Sequence, residues 1–157
     1  MKKPTIVIAS ALVIALVFGG GAYYYKAQQA QEISKLAGAE ESAFVRAASP
    51  ALGTESAKVQ LVEFFDPACE ACRMMYPYVK SLMRANDGKL RLTLRYATFH
   101  EGSDYVVKVL EAARMQGQDL YWKALEAILA NQATWAEHGR PNPLLVWDYL
   151  GGTGLDI

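Results

Sequence analysis

The chain holds two cysteines, Cys69 and Cys72, spaced as Cys-Glu-Ala-Cys. Two sulfurs are too few to staple a small domain and too few to complete a four-ligand zinc site, so they act as a pair. In an oxidising compartment this spacing suits thiol–disulfide exchange, provided a strand delivers it to the first turn of a helix. The free N–H groups and partial positive charge of a helix start stabilise a thiolate. Cys69 is therefore expected to be the nucleophile and a good leaving group. Cys72, one turn deeper on the apolar face, is expected to close a Cys69–Cys72 disulfide while shielded from substrate. Between them Glu70 adds a charge that opposes the thiolate, Ala71 offers no donor, and Arg73 partly offsets Glu70. The expected pair is thus less oxidising than one with His between its cysteines. The sulfurs carry the electrons, so no cofactor is expected.

The flanking pattern supplies the elements that must hold this pair. Lys58–Phe65 is a short β-branched and aromatic run and predicts a strand, expected to be central and buried. Asp66, Pro67 and Ala68 end it. Cys72, Met75, Tyr76, Val79, Leu82 and Met83 then recur at spacings of three and four, a helix from Cys69 to about Asn86. Asp87-Gly88 is a turn, and Lys89–Phe99 alternates as a second strand would, giving a β-α-β unit. Beyond it, apolar residues at helical spacing predict three helices, around Val106–Ala113, Leu120–Leu129 and Leu144–Leu150. Met74, Met75 and Met83 read as core, and Trp122, Trp135 and Trp147 as packing anchors. His100 reads as a turn residue and His138 as solvated, with Glu101, Asp104 and Glu111 on a solvated helix face.

Composition and the amino end set the compartment. Sixteen Lys and Arg balance 16 Asp and Glu, so no basic field exists to hold nucleic acid. Thr5–Tyr25 is uncharged, follows Lys2 and Lys3, and as a helix is long enough for a bilayer core of about 30 Å. The positive-inside rule sends everything after Lys26 across the membrane. Residues 1–25 are read as a transmembrane anchor or signal sequence, with Tyr23, Tyr24 and Tyr25 at the interface favouring the anchor. The expected location is a bacterial inner membrane, single-pass, with the domain facing the periplasm; a cleaved signal would leave it soluble there. Residues 26–56, rich in Ala, Gln and Glu, read as a stalk or linker, and 57–157 as the domain.

The segment Val62-Glu63-Phe64-Phe65-Asp66-Pro67-Ala68-Cys69-Glu70-Ala71-Cys72, with Pro77 five positions on, resembles the active-site segment of the thioredoxin superfamily, in its periplasmic DsbA-like branch. The resemblance runs from about Ala57 to Leu150. It implies an α/β thioredoxin-like fold with a helical insertion. It also implies that Glu63 is a buried acid shuttling a proton for Cys72, that Pro77 kinks the active-site helix, and that the partners are protein thiols and disulfides with a membrane redox protein for recycling. None of Pro4, Pro50, Pro67, Pro77, Pro141 or Pro143 falls where that branch has its cis-proline, so the fold is expected to be partial, incomplete at the carboxyl end. Two other functions are compatible with the residues: a copper(I)-binding chaperone using both thiolates with Met74 or His100, and a non-catalytic thioredoxin-like interaction protein.

Overall fold

The computed structural model describes residues 3–38 and 44–157. They divide into two units, Met1–Arg46 and Ala47–Ile157. The first is α1, Lys3–Gly38, one continuous helix of 36 residues. It runs through the expected border between anchor and stalk without a break. Its described apolar side chains, among them Leu12, Ile14, Val17 and Phe18, are exposed. Among the described residues no helix is long and apolar enough to cross a membrane. From Ser10 onward the apolar run is short, because Gly19–Gly21, the three tyrosines and Lys26 follow Phe18. Several side chains upstream of Ser10 lie outside those described, as do residues 39–43 of the expected stalk.

The second unit begins with β1, Ala51–Leu52, followed by β2, Val59–Phe65, α2, Glu70–Ala85, and β3, Leu90–Tyr96. Helices α3 (Ser103–Gln116), α4 (Gln118–Ala130) and α5 (Gln132–Trp135) come next. A 3₁₀ turn at Pro143–Leu145 leads into α6, Val146–Leu150. The strand order is β1-β3-β2. β2 and β3 are parallel, joined through α2, as the predicted β-α-β unit requires, and β1 is antiparallel to β3. Two expectations are corrected. The central strand is β3, because β1 takes its far side through the pair Ala51–Thr93, leaving β2 at an edge of the described sheet. The sheet also begins before Ala57, and Leu94 N–H donates to the Pro50 carbonyl at 2.9 Å.

The register Leu61–Leu92, Glu63–Leu94, Phe65–Tyr96 puts these six side chains on one face. Phe65, Leu92 and Leu94 are buried there in one cluster with Tyr76, Met83, Val106, Leu110, Tyr121, Leu125 and Ile128. On α2 the inward strip is Cys72, Tyr76, Val79 and Met83, a four-three-four spacing that faces one way. Met74 and Met75, read as core, lie off that strip and are 58% and 53% exposed. Trp122 and Trp135 are buried as expected. Trp147 is 39% exposed, its indole N–H donating to Tyr105 Oη at 2.8 Å.

Gly53 turns the chain out of β1 at φ +100°, and a Cβ placed there would stand 2.5 Å from the Leu90 carbonyl oxygen. Both the left-handed backbone and the close approach demand glycine. Gly53→Ala is expected to destabilise the domain by about 1–3 kcal/mol, read as a lowered urea midpoint with an unchanged slope.

Candidate functional site

The site lies at the carboxyl end of β2, where the chain passes through Asp66, Pro67 and Ala68 into α2. Cys69 is the N-cap of α2, with an extended backbone (φ −77°, ψ 120°) and no side-chain cap. Its carbonyl accepts the first helical bond, from Arg73 N–H at 3.1 Å. With no side chain satisfying the first-turn N–H groups, they and the helix dipole remain available to a charge at the Cys69 sulfur. Pro77 sits inside α2, where it removes one donor from the helical ladder. Cys72 lies a turn further in, and both thiols are free and partly exposed. Burial above all, with Cys69 and Glu63 adding to it, pushes the Cys72 thiol up to about 11. An inward cysteine slow to ionise thus stands behind one at a helix start.

Glu63 projects from β2 on the core-facing side. Its Oε2 is buried with no hydrogen-bond partner, and burial raises its carboxyl above the usual range. Its charge reaches Cys72 and the hydroxyls of Tyr76 and Tyr121. The three predicted site residues are therefore brought together: Cys69 at the rim, Cys72 inward, and Glu63 within electrostatic reach of Cys72.

Two further residues hold the motif. Asp66 is 3% exposed. Its carboxylate accepts from Ala68 N–H at 2.9 Å, Phe99 N–H at 2.7 Å, His100 N–H at 3.1 Å, His100 Nδ1 at 2.8 Å, and the Ser103 hydroxyl. Burial alone would push its carboxyl up, but these bonds outweigh it and hold the group below the usual range. The strand expected to run to Phe99 stops at Tyr96, and the N–H groups of Phe99 and His100 turn to Asp66. Gln132, 1% exposed on α5, donates Nε2 to the carbonyls of Pro67 at 2.7 Å and Cys69 at 3.0 Å. Its Oε1 accepts from Arg73 Nε at 3.0 Å. Asp66 had read only as a strand stop. Gln132 carried no sequence signal, because it lies more than 60 positions from the carbonyls it serves.

Three residues read as bland have partners. His100 is bound to Asp66, and His138, though 74% exposed, places Nε2 2.8 Å from Glu70 Oε1. Glu111 accepts from Tyr96 Oη at 2.8 Å and pairs with Arg114 at 2.7 Å, so it belongs to a partly buried network with Tyr121. Among the described residues no group of three or more His, Cys, Asp or Glu could hold a metal ion.

A parallel strand pair feeding a helix whose N-cap and first turn carry two thiols, with a buried acid behind them, defines a thioredoxin-type dithiol domain. The chain belongs to the thioredoxin family, whose sequence model matches residues 46–145. The fold is similar to that of a thioredoxin-like oxidoreductase from Silicibacter pomeroyi, at 32% identity and TM-score 0.57, covering 72% of this chain and 61% of that one. It is also similar to the thiol-disulfide exchange protein alpha-DsbA2 from Wolbachia pipientis, at 22% identity and TM-score 0.60, covering 72% and 57%. BdbD from Bacillus subtilis matches at 24% identity and TM-score 0.59, covering 67% and 58%. The DsbA-like fold expected from the sequence is present, and the chain spans about three fifths of the length of these three structures. Among the described residues there is no cis peptide bond. No curated protein matches the chain.

Asp66→Asn is expected to cost about 3 kcal/mol at pH 7, the scale for breaking a buried charged network. A folded-state pKa below the unfolded value stabilises above the unfolded pKa and loses that contribution as pH falls through the folded one. The gap between wild type and variant should therefore narrow below about pH 4, as read from urea melts at pH 7 and pH 3.

Proposed function

We propose that this chain is a thiol–disulfide oxidoreductase acting on extracytoplasmic proteins through Cys69 and Cys72. The observation that carries the reading is Cys69 at the N-cap of α2 with Cys72 one turn inward, its thiol pushed up by burial. The buried Glu63 Oε2, without a hydrogen-bond partner, supports the proton step.

In the reducing direction the Cys69 thiolate attacks one sulfur of a substrate disulfide. That S–S bond breaks, a Cys69–substrate mixed disulfide forms, and the other substrate sulfur leaves as a thiolate and takes up a proton. Cys72 then gives its proton to Glu63 and attacks Cys69, closing the Cys69–Cys72 disulfide and expelling the second substrate thiolate. Two electrons pass to the substrate. In reverse, a substrate dithiol is oxidised, and the protonated Glu63 favoured by burial supplies the proton that the departing Cys72 needs. Either cycle needs a second redox protein to reset the pair, and a membrane-held partner suits the compartment.

Delivery across the membrane is supported by the uncharged Thr5–Tyr25 run behind Lys2 and Lys3. It serves as a single-pass anchor facing the periplasm or as a cleaved signal. The Silicibacter pomeroyi relative, an oxidoreductase by description, supports the reaction class.

In the reduced protein Cys69 is expected to react with iodoacetamide at pH 6 at least about tenfold faster than Cys72, since reactivity follows the thiolate fraction; equal rates in peptide mass spectrometry would argue against the assignment. Cys72→Ser should accumulate mixed disulfides on non-reducing gels of extracytoplasmic protein, and Cys69→Ser should accumulate none.

A further inference from the structure

Glu70, the ionisable residue between the two cysteines, is tethered: His138, from the loop after α5, holds its carboxylate at 2.8 Å. The His138 ring faces that of His100, with centroids 6.1 Å apart, and His100 is itself bound to Asp66. Asp66 at the start of the turn and Glu70 just after Cys69 are thus each paired with an imidazole, one pair half-buried and one at the surface.

We propose that His138 is a positioning residue for thiol exchange, holding Glu70 and setting, by its own protonation, how much of the Glu70 charge Cys69 feels. This rests on the reading of Cys69 as the nucleophile. As an imidazolium, His138 counters the carboxylate, and the thiolate at the helix start keeps the full benefit of the dipole. As neutral imidazole it leaves the carboxylate uncompensated, and the like charge opposes the thiolate.

Other charged groups surround this pair. Arg73, from α2, lines the same groove as Glu70, Glu137 and His138 and is bound to Gln132. Glu137 is paired with Arg140. Glu101 lies beside His100 and His138. An ordinary surface carboxylate or a guanidinium keeps its charge between pH 5 and 8, whereas an imidazole is the side chain that changes there. Replacing Glu70 separates His138 from His100, because only His138 acts through it.

The test is the iodoacetamide rate at Cys69 in the reduced full chain, resolved from Cys72 by peptide mass spectrometry, at low ionic strength and at pH 5.5 and 8.5. His138→Gln is expected to slow Cys69 roughly two- to threefold at pH 5.5, the scale of one unit charge acting through mostly aqueous surroundings. At pH 8.5 the variant should match wild type. In a Glu70→Gln background His138→Gln should change nothing at either pH. Equal rates at pH 5.5 would overturn the proposal. So would an effect that is the same at both pH values or that persists without Glu70, since either marks a merely structural role. A wild-type Cys69 that does not alkylate would sink the nucleophile assignment itself, whereas a reactive Cys69 indifferent to His138 sinks this inference alone.

Discussion

A carboxylate taken out of water is held in place by what it can accept, and Asp66 accepts from five donors: Ala68, Phe99, His100 through its backbone and its ring, and Ser103. One donor comes from the turn that carries the cysteines, three from the loop between β3 and α3, and the Ser103 hydroxyl from the first residue of α3. That single anion joins the dithiol turn to the helical layer, and an unpaired charge at such depth would cost several kcal/mol. The position of Cys69 at the start of α2 depends on it, and with that position the whole case for a stabilised sulfur anion.

Around this fixed turn the environments diverge. Cys69 caps a helix at the surface, whereas Cys72 faces inward, where burial pushes its thiol up. The buried Glu63 carboxyl, unpartnered at Oε2, is pushed the same way. Neutral forms are favoured inside, whereas the rim sulfur stands at a helix start. A dithiol needs that contrast if one sulfur is to meet substrates while the other waits.

Legibility followed the range of the interaction. Alternation, helical spacing and turn residues located β2, α2, β3 and the later helices, because each of those signals is local. The two cysteines and Glu63 lie in one contiguous segment, whose resemblance to a known family makes them legible together. Asp66 and Gln132 were not, since their roles rest on partners more than 30 and more than 60 positions away. The central place of β3 is not legible, because the two-residue β1 that takes its far side is too short to show a period. Met74 and Met75 were assigned inward because hydrophobicity identifies an apolar residue without saying which arc of a helix the sheet will cover.

The clamp from Gln132 has a bearing on the order of events during synthesis. The carbonyls of Pro67 and Cys69 leave the ribosome more than 60 residues before the amide that will tie them down. Until α5 has emerged and docked, the dithiol turn is held by Asp66 without this second clamp, so its full ordering waits on a contact that closes a loop of more than 60 residues.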